Sequence, residues 1–284
     1  MRGMKISALI SGVLLALVCC YAHAQQMHSN FSDLAVHAPE LMRRQAQFEQ
    51  MPPPGVTIEA KEISRKGVSG KDLDVRYNIY VKGVPPDSVF RQIQWPVDRE
   101  KPIPGFVGIT INSDGLMMCA GRTPEQCHSS VQLDAPITFA IQKPLKGEPR
   151  RSVFITQNLR IPISIIPDPI ESVDRGCRLS SIRLSAKFEL AMIEGSGFLP
   201  NSDVHLRISN DGSKMVVVTV DNNGRPTASA PDTSTNIVVK SDSKGAFQTT
   251  SLKNADKEPT GTETVEASTA GCSPKLDYKW GVLN

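Results

Sequence analysis

The chain has 284 residues, with 32 Lys and Arg set against 29 Asp and Glu for a formal charge of +3, and only two tryptophans and four tyrosines. So weak a net charge gives no electrostatic funnel toward nucleic acid or an anionic membrane, both of which need clustered Lys and Arg. The only short basic clusters, Arg43-Arg44 and Arg150-Arg151, read as a solvated helix face and a solvated loop.

The first 24 residues open with Arg2 and Lys5, run apolar from Ile6 to Tyr21, and end in Ala22-His23-Ala24 before Gln25. Cationic start, apolar middle and small-residue end are the order of a secretory signal peptide. A spanning helix needs about 20 apolar residues, and this run is shorter and interrupted by Ser7, Ser11 and Gly12, so cleavage after Ala24 is the reading over a retained anchor. Lipoprotein processing at Cys19 or Cys20 is disfavoured by the bulky Val18. The mature chain is then expected to be exported, whether periplasmic, cell-surface or secreted, with no transmembrane segment and a charge of +1 once Arg2 and Lys5 leave.

Four cysteines stay in the mature chain: Cys119, Cys127, Cys177 and Cys272. An even number in an exported chain points to disulfides. Of three pairings, Cys119 with Cys127 and Cys177 with Cys272 is favoured because each bridge then lies inside one expected domain. Chain entropy makes the short loop worth about 2.6 kcal/mol and the long one about 4.7 kcal/mol. A metal site from Cys119, Cys127 and His128 would need a second close-spaced ligand pair, which the chain lacks, so no metal and no cofactor are expected.

Residues 25–55 read as a leader in which a short helix starts near Pro39 and covers Glu40 to Gln50, with Leu41, Met42, Ala46 and Phe48 as its apolar members. Pro52-Pro53-Pro54-Gly55 stops it. From Val56 the period becomes two: Leu73, Val75, Tyr77, Ile79 and Val81 share one side of an extended chain. Further strands are expected at 91–96, 106–111, 116–119, 137–141, 151–156 and 161–166, with turns such as Asn112-Ser113-Asp114-Gly115 between them. No long amphipathic helix interrupts them, which disfavours an α/β sheet. Pro162, Pro167 and Pro169 mark the expected boundary between a β-rich domain at 56–170 and a second at 171–284.

In the second domain strands are expected at 179–184, 187–193, 204–209, 215–220, 237–240, 246–251, 264–267 and 276–280. Asn223-Gly224 is a hairpin signal, because a type I′ turn needs positive φ at both central residues. The run Asp221 to Asn236, rich in Pro, Ser, Thr and Asn, reads as a loop. Seven or eight strands in about a hundred residues suit an immunoglobulin-like sandwich. The fold class is therefore all-β: two β-rich domains, the second Ig-like, behind a signal peptide and a helical leader.

The stretch from Glu194-Gly195-Ser196-Gly197-Phe198-Leu199-Pro200 to Val204, with Asp242-Ser243-Lys244-Gly245-Ala246-Phe247, resembles the Gly-x-Gly-Phe-x-Pro and Asp-x-x-Gly-x-Phe pattern of bacterial Ig-like domains of the IPT/TIG type. It covers the C-terminal hundred or so residues. The resemblance implies an architectural motif, with Phe198 plugging one end of the sandwich and Gly245 turning the chain ahead of Phe247, and it implies no activity.

Catalytic spacing is absent. Val68-Ser69-Gly70 and Gly195-Ser196-Gly197 lack the outer glycines of a nucleophile elbow. His28, His37, His128 and His205 form no His-Glu-x-x-His pair, and His205 alternates with Val204 and Leu206 on the expected solvent face of a strand. Asp221-Asn222-Asn223-Gly224 lacks the alternating ligands and distal Glu of a calcium loop. Trp95 and Trp280 sit in strand-like contexts, where core packing is commoner than a sugar platform. The expectation is a non-enzymatic binding or structural module at the cell envelope or outside the cell, its partner another envelope or cell-surface protein. The alternatives are an extracytoplasmic hydrolase with a loop-built site around Cys119 to His128, and a subunit of an envelope assembly that pairs through a strand edge or the leader.

Overall fold

The computed structural model describes residues 31–49, 52–97, 99, 101–119, 135–211, 213–220, 226–253 and 260–281. The expected signal peptide, Cys127, His128, and the Asn223-Gly224 turn lie outside the described residues.

Helix α1 (Phe31–Glu49) precedes eighteen strands among the described residues. The first eight are β1 (Thr57–Lys66), β2 (Asp74–Lys82), β3 (Phe90–Trp95), β4 (Ile103–Ile111), β5 (Met117–Cys119), β6 (Thr138–Gln142), β7 (Arg150–Ile155) and β8 (Arg160–Ile165). They form a three-stranded sheet in the order β1-β2-β6 and a five-stranded sheet in the order β5-β4-β3-β7-β8. The alternation of β2 carries the packing between them: Val75, Tyr77, Ile79 and Val81 are buried and meet Phe90, Ile109, Phe154 and Ile161 of the other sheet in one core. Pro162 sits in β8 at the sheet edge, where its missing N–H breaks no ladder on the outer side.

The remaining strands are β9 (Ile170–Asp174), β10 (Cys177–Arg183), β11 (Leu190–Ser196), β12 (Asp203–Asn210), β13 (Met215–Val220), β14 (Pro226–Ala228), β15 (Ser234–Lys240), β16 (Phe247–Lys253), β17 (Gly261–Ser268) and β18 (Lys275–Trp280). A six-stranded sheet, β14-β13-β16-β11-β10-β9, faces a four-stranded sheet, β15-β12-β17-β18. Among the described residues every strand pairing is antiparallel, and no sheet takes strands from both sides of residues 166–169. The second core joins Leu179, Ile193, Val217 and Phe247 to Val204, Leu206, Ile208, Val265 and Trp280. Cys177, opening β10, is bonded to Cys272, in the β17–β18 connection, with 6.2 Å between their Cα atoms. The bridge ties one sheet to the other across 95 residues of chain.

The glycine and phenylalanine motif closes one end of this sandwich. Phe198 and Phe247 are buried with ring centroids 5.3 Å apart. Gly245 has φ 76°, and a Cβ there would lie 2.0 Å from the Phe198 carbonyl oxygen. A Cβ on Gly195 would lie 2.0 Å from the Phe247 ring.

Four expectations need correction. The helix begins at Phe31 and runs through Pro39 rather than starting there: Pro39 only removes the N–H that would have met the Ala35 carbonyl, and docking of the helix outweighs that loss. Arg150-Arg151 is no solvated loop but the start of β7, with Arg151 buried. The loop expected over 221–236 holds β14 and the start of β15, Pro226 being tolerated on an edge strand. The strand expected from Lys187 begins at Leu190, because Phe188 turns with φ 63° and the Ser185 hydroxyl accepts from the Leu190 N–H at 3.0 Å. Strands β1 and β9 have no counterpart in the sequence reading.

Candidate functional site

The outer face of the six-stranded sheet is divided in two by its sequence. Side chains alternate, so Leu190, Met192 and Glu194 of β11 share that face with Ile182, Ser180 and Arg178 of β10, and with Leu252, Thr250 and Gln248 of β16. The apolar half, Ile182, Leu190, Met192 and Leu252, forms a third core with Ala38 and Met42 of α1. The helix reaches both sandwiches, lying against β11 and β16 of the second and β7 and β8 of the first. Ala38, Met42, Gln45 and Phe48, at helical spacing, are its buried stripe.

The polar half is a single cross-strand row: Glu171 of β9 pairs with Ser180, Ser180 with Glu194, and Glu194 with Gln248. The Gln248 side-chain amide donates to the Glu194 carboxylate at 2.7 Å, and Arg178 forms an ion pair with Glu171. The row floors a groove of about 490 Å³ whose walls include Ile166, Pro169 and Phe247. Glu49, in the last turn of α1, accepts from the Gln45 side-chain amide at 2.6 Å and lies on the side of the helix that neighbours this row. Burial, and then the neighbouring Glu49, push the Glu194 carboxyl up to about 7, against the pull of Gln248 and Arg178. Burial likewise raises Glu49, opposed by Gln45 and by the charge of Arg151. Neighbouring carboxyls resist ionising together, which adds to burial in raising Glu194.

At the other flank of α1, Arg44 lies 4.0 Å above the Trp95 ring and Phe48 meets the same ring edge-on at 6.2 Å. Arg151 donates to the Trp95 carbonyl at 3.1 Å, and burial lowers it to about 10. Arg44 Nε, Gln45 Oε1 and Arg151 Nη1 are buried under the helix without a hydrogen-bond partner among the described residues.

A second polar cluster is sealed inside the second sandwich. Lys253 Nζ donates to the Tyr278 hydroxyl at 2.8 Å and lies 3.3 Å from Glu263 Oε2; Tyr278 donates to the other oxygen of Glu263, and Ser251 donates to Oε2 at 2.5 Å. The Tyr278 ring stacks on Phe188 at 4.5 Å, and the Arg183 guanidinium covers the far side of Phe188 at 4.4 Å. Burial drives the Lys253 amine down, partly offset by Glu263, while burial and Glu263 drive the Tyr278 hydroxyl well up. Lys253 and Glu263 have no exposed side-chain surface, so no substrate reaches them and the cluster acts on folding.

The residues singled out in the sequence are scattered. Cys177 and Cys272 meet; Cys119 is buried in β5, and its expected partner Cys127 lies outside the described residues. His205 is exposed on β12, Trp280 is fully buried, and Trp95 is partly covered by α1. Ser69 donates to Asp168 in the segment that connects the two sandwiches, and Ser196 closes β11. Among the described residues no group of three or more His, Cys, Asp or Glu side chains could hold a metal ion, and no helix is long and apolar enough to cross a membrane. Glu49, Glu194 and Gln248 were missed as a set, because a cross-strand row is invisible until the register is known. The buried pair had a signal: Glu263 falls in phase with Val265 and Ala267, and Lys253 in phase with Phe247. No family model and no curated protein matches this chain.

Proposed function

We propose that the protein is an exported, non-enzymatic binding or structural module of the cell envelope or extracellular space, in which α1 braces two β-sandwiches and the second is an Ig-like sandwich of the IPT/TIG type. The carrying observation is the Cys177–Cys272 bridge, which joins the two sheets of the second sandwich and persists where thiols are not kept reduced. The open, polar-floored groove beside α1 supports contact with a protein surface more than enclosure of a small substrate, since small-molecule sites bury most of their ligand in apolar walls. The Phe198, Gly245 and Phe247 packing supports the Ig-like assignment. On this reading the partner is another envelope or cell-surface protein.

Crosslinking in intact cells, followed by identification of the joined chains, tests the proposal. It expects a partner joined through the groove side of the second sandwich. Recovery of the chain solely as an uncrosslinked monomer inside the cytoplasm would sink it.

A further inference from the structure

Most sheet edges of the two sandwiches are guarded. In the first, β1 carries Lys61, Arg65 and Lys66 and a bulge between Glu62 and Ser64, and β8 lies against α1. The gap between β5 and β6 is closed by the Cys119 N–H donating to the Ala135 carbonyl and the Ile137 N–H donating to the Met117 carbonyl. In the second, β9 packs against β18, and β14 is three residues long and opens on Pro226. Charge, bulges, proline and cover are the defences that keep an edge from pairing with another chain. β15 (Ser234–Lys240) lacks them over seven residues: it ends the four-stranded sheet, has neither proline nor bulge, carries its one charge at the last position, and leaves Val238 56% exposed.

Its backbone turns outward at alternate residues. The Thr233 carbonyl accepts from the Asn210 N–H at 2.8 Å and the Ser241 N–H donates to the Ser202 carbonyl at 2.9 Å, so the odd-numbered residues of this run face β12. Ser234, Asn236 and Val238 then direct their N–H and C=O groups away from the sheet.

We infer that β15 is the seam of a two-fold dimer, pairing antiparallel with β15 of a second copy of this chain so that two four-stranded sheets become one. Parity and charge choose the occupant and the register. With Asn236 opposite Asn236 of the copy, Ser234 meets Val238, and Asp232 of each chain meets Lys240 of the other. Asp232 and Lys240 are both exposed, and the backbone of Asp232 is held in place by Met215. Asp203 faces Lys240 from β12 of the same copy, so each ammonium lies between two carboxylates, while Arg207, beside Asn236, has Glu266 as its other cross-strand neighbour. Slipping the copy by two residues sets Asp232 against Asp242 instead. The patch is thus self-complementary, as a two-fold interface requires. Main-chain hydrogen bonds supply the attraction, and the exposed ion pairs, individually weak, fix the register. The groove beside α1 belongs to the other sheet, so this inference goes beyond the function proposed above and does not rest on it.

Sedimentation velocity of the full chain across the micromolar range tests the seam, and the parent is expected to show a monomer–dimer equilibrium. Val238→Pro removes an outward N–H without touching the β12 ladder and should weaken association about tenfold, each copy losing a main-chain hydrogen bond. Asp232→Lys and Lys240→Glu each turn both ion pairs into repulsions, so each variant alone should be monomeric where the parent is dimeric. Mixed together they restore both pairs and should form the heterodimer. All three replaced side chains are exposed, and far-ultraviolet circular dichroism checks that each variant is folded. A parent chain that is monomeric throughout, a dimer that Val238→Pro leaves intact, or a mixture of the two charge variants that stays monomeric would overturn the inference.

Discussion

Replacing Lys253 by Met removes the only cation in hydrogen-bonding contact with Glu263 among the described residues and keeps the volume of the side chain. The carboxylate would stay buried with two hydrogen bonds, from Ser251 and Tyr278, and no counter-charge. Breaking a buried pair from one side costs about 3–5 kcal/mol. Those two surviving donors set the expectation at the lower end, about 3 kcal/mol, which for a unit of this size lowers Tm by about 6–12 °C. The neutralising partner change, Glu263→Gln, removes the orphaned charge, so the double variant should be more stable than the two single losses added together, by about 1–2 kcal/mol of coupling. Urea and thermal unfolding of the parent, both single variants and the double variant complete the cycle. A loss under 1 kcal/mol for Lys253→Met, or strict additivity in the double variant, would refute the view that this cluster carries a paired charge.

Gly245→Ala forces a side chain into left-handed backbone against the Phe198 carbonyl and should cost about 1–3 kcal/mol in urea unfolding. Phe48→Ala empties the contact with Trp95 and should release α1 at a cost of about 3–5 kcal/mol to docking, seen as faster proteolysis near residues 50–55 with the β-sheet circular dichroism intact. Because folding raises the Glu194 carboxyl to about 7, the unfolding free energy from urea titration should decline from pH 4.5 to pH 7, by at most about 3 kcal/mol, and Glu194→Gln should remove that decline.

The strands were legible wherever one face is apolar and the other wet. Val75, Tyr77, Ile79 and Val81 in β2, and Leu276, Tyr278 and Trp280 in β18, announce their strands because each lies over a single core. β1 escaped because, on the edge of a three-stranded sheet, it exposes most residues of both faces. The length of α1 escaped for a different reason: proline chemistry is a local rule, whereas the helix is held by a sheet face assembled from residues 180–252. Arg151 was misread because an arginine can be buried when its guanidinium finds a carbonyl and an aromatic ring, here Trp95 and Phe48, and neither neighbour is close in sequence. The groove row Glu171, Ser180, Glu194 and Gln248 comes from four strands, so its chemistry belongs to the register and not to any motif.

The central claim, an exported chain whose second sandwich is stapled between its sheets, rests most directly on the state of Cys177 and Cys272 in the cell. Intact cells would be treated with a thiol-blocking reagent, the extracytoplasmic fraction separated, and the chain digested without reduction for peptide mass analysis. The account predicts a chain that starts at Gln25, found outside the cytoplasm, with the Cys177 and Cys272 peptides joined and neither cysteine labelled. A chain retained in the cytoplasm with both cysteines labelled would contradict it.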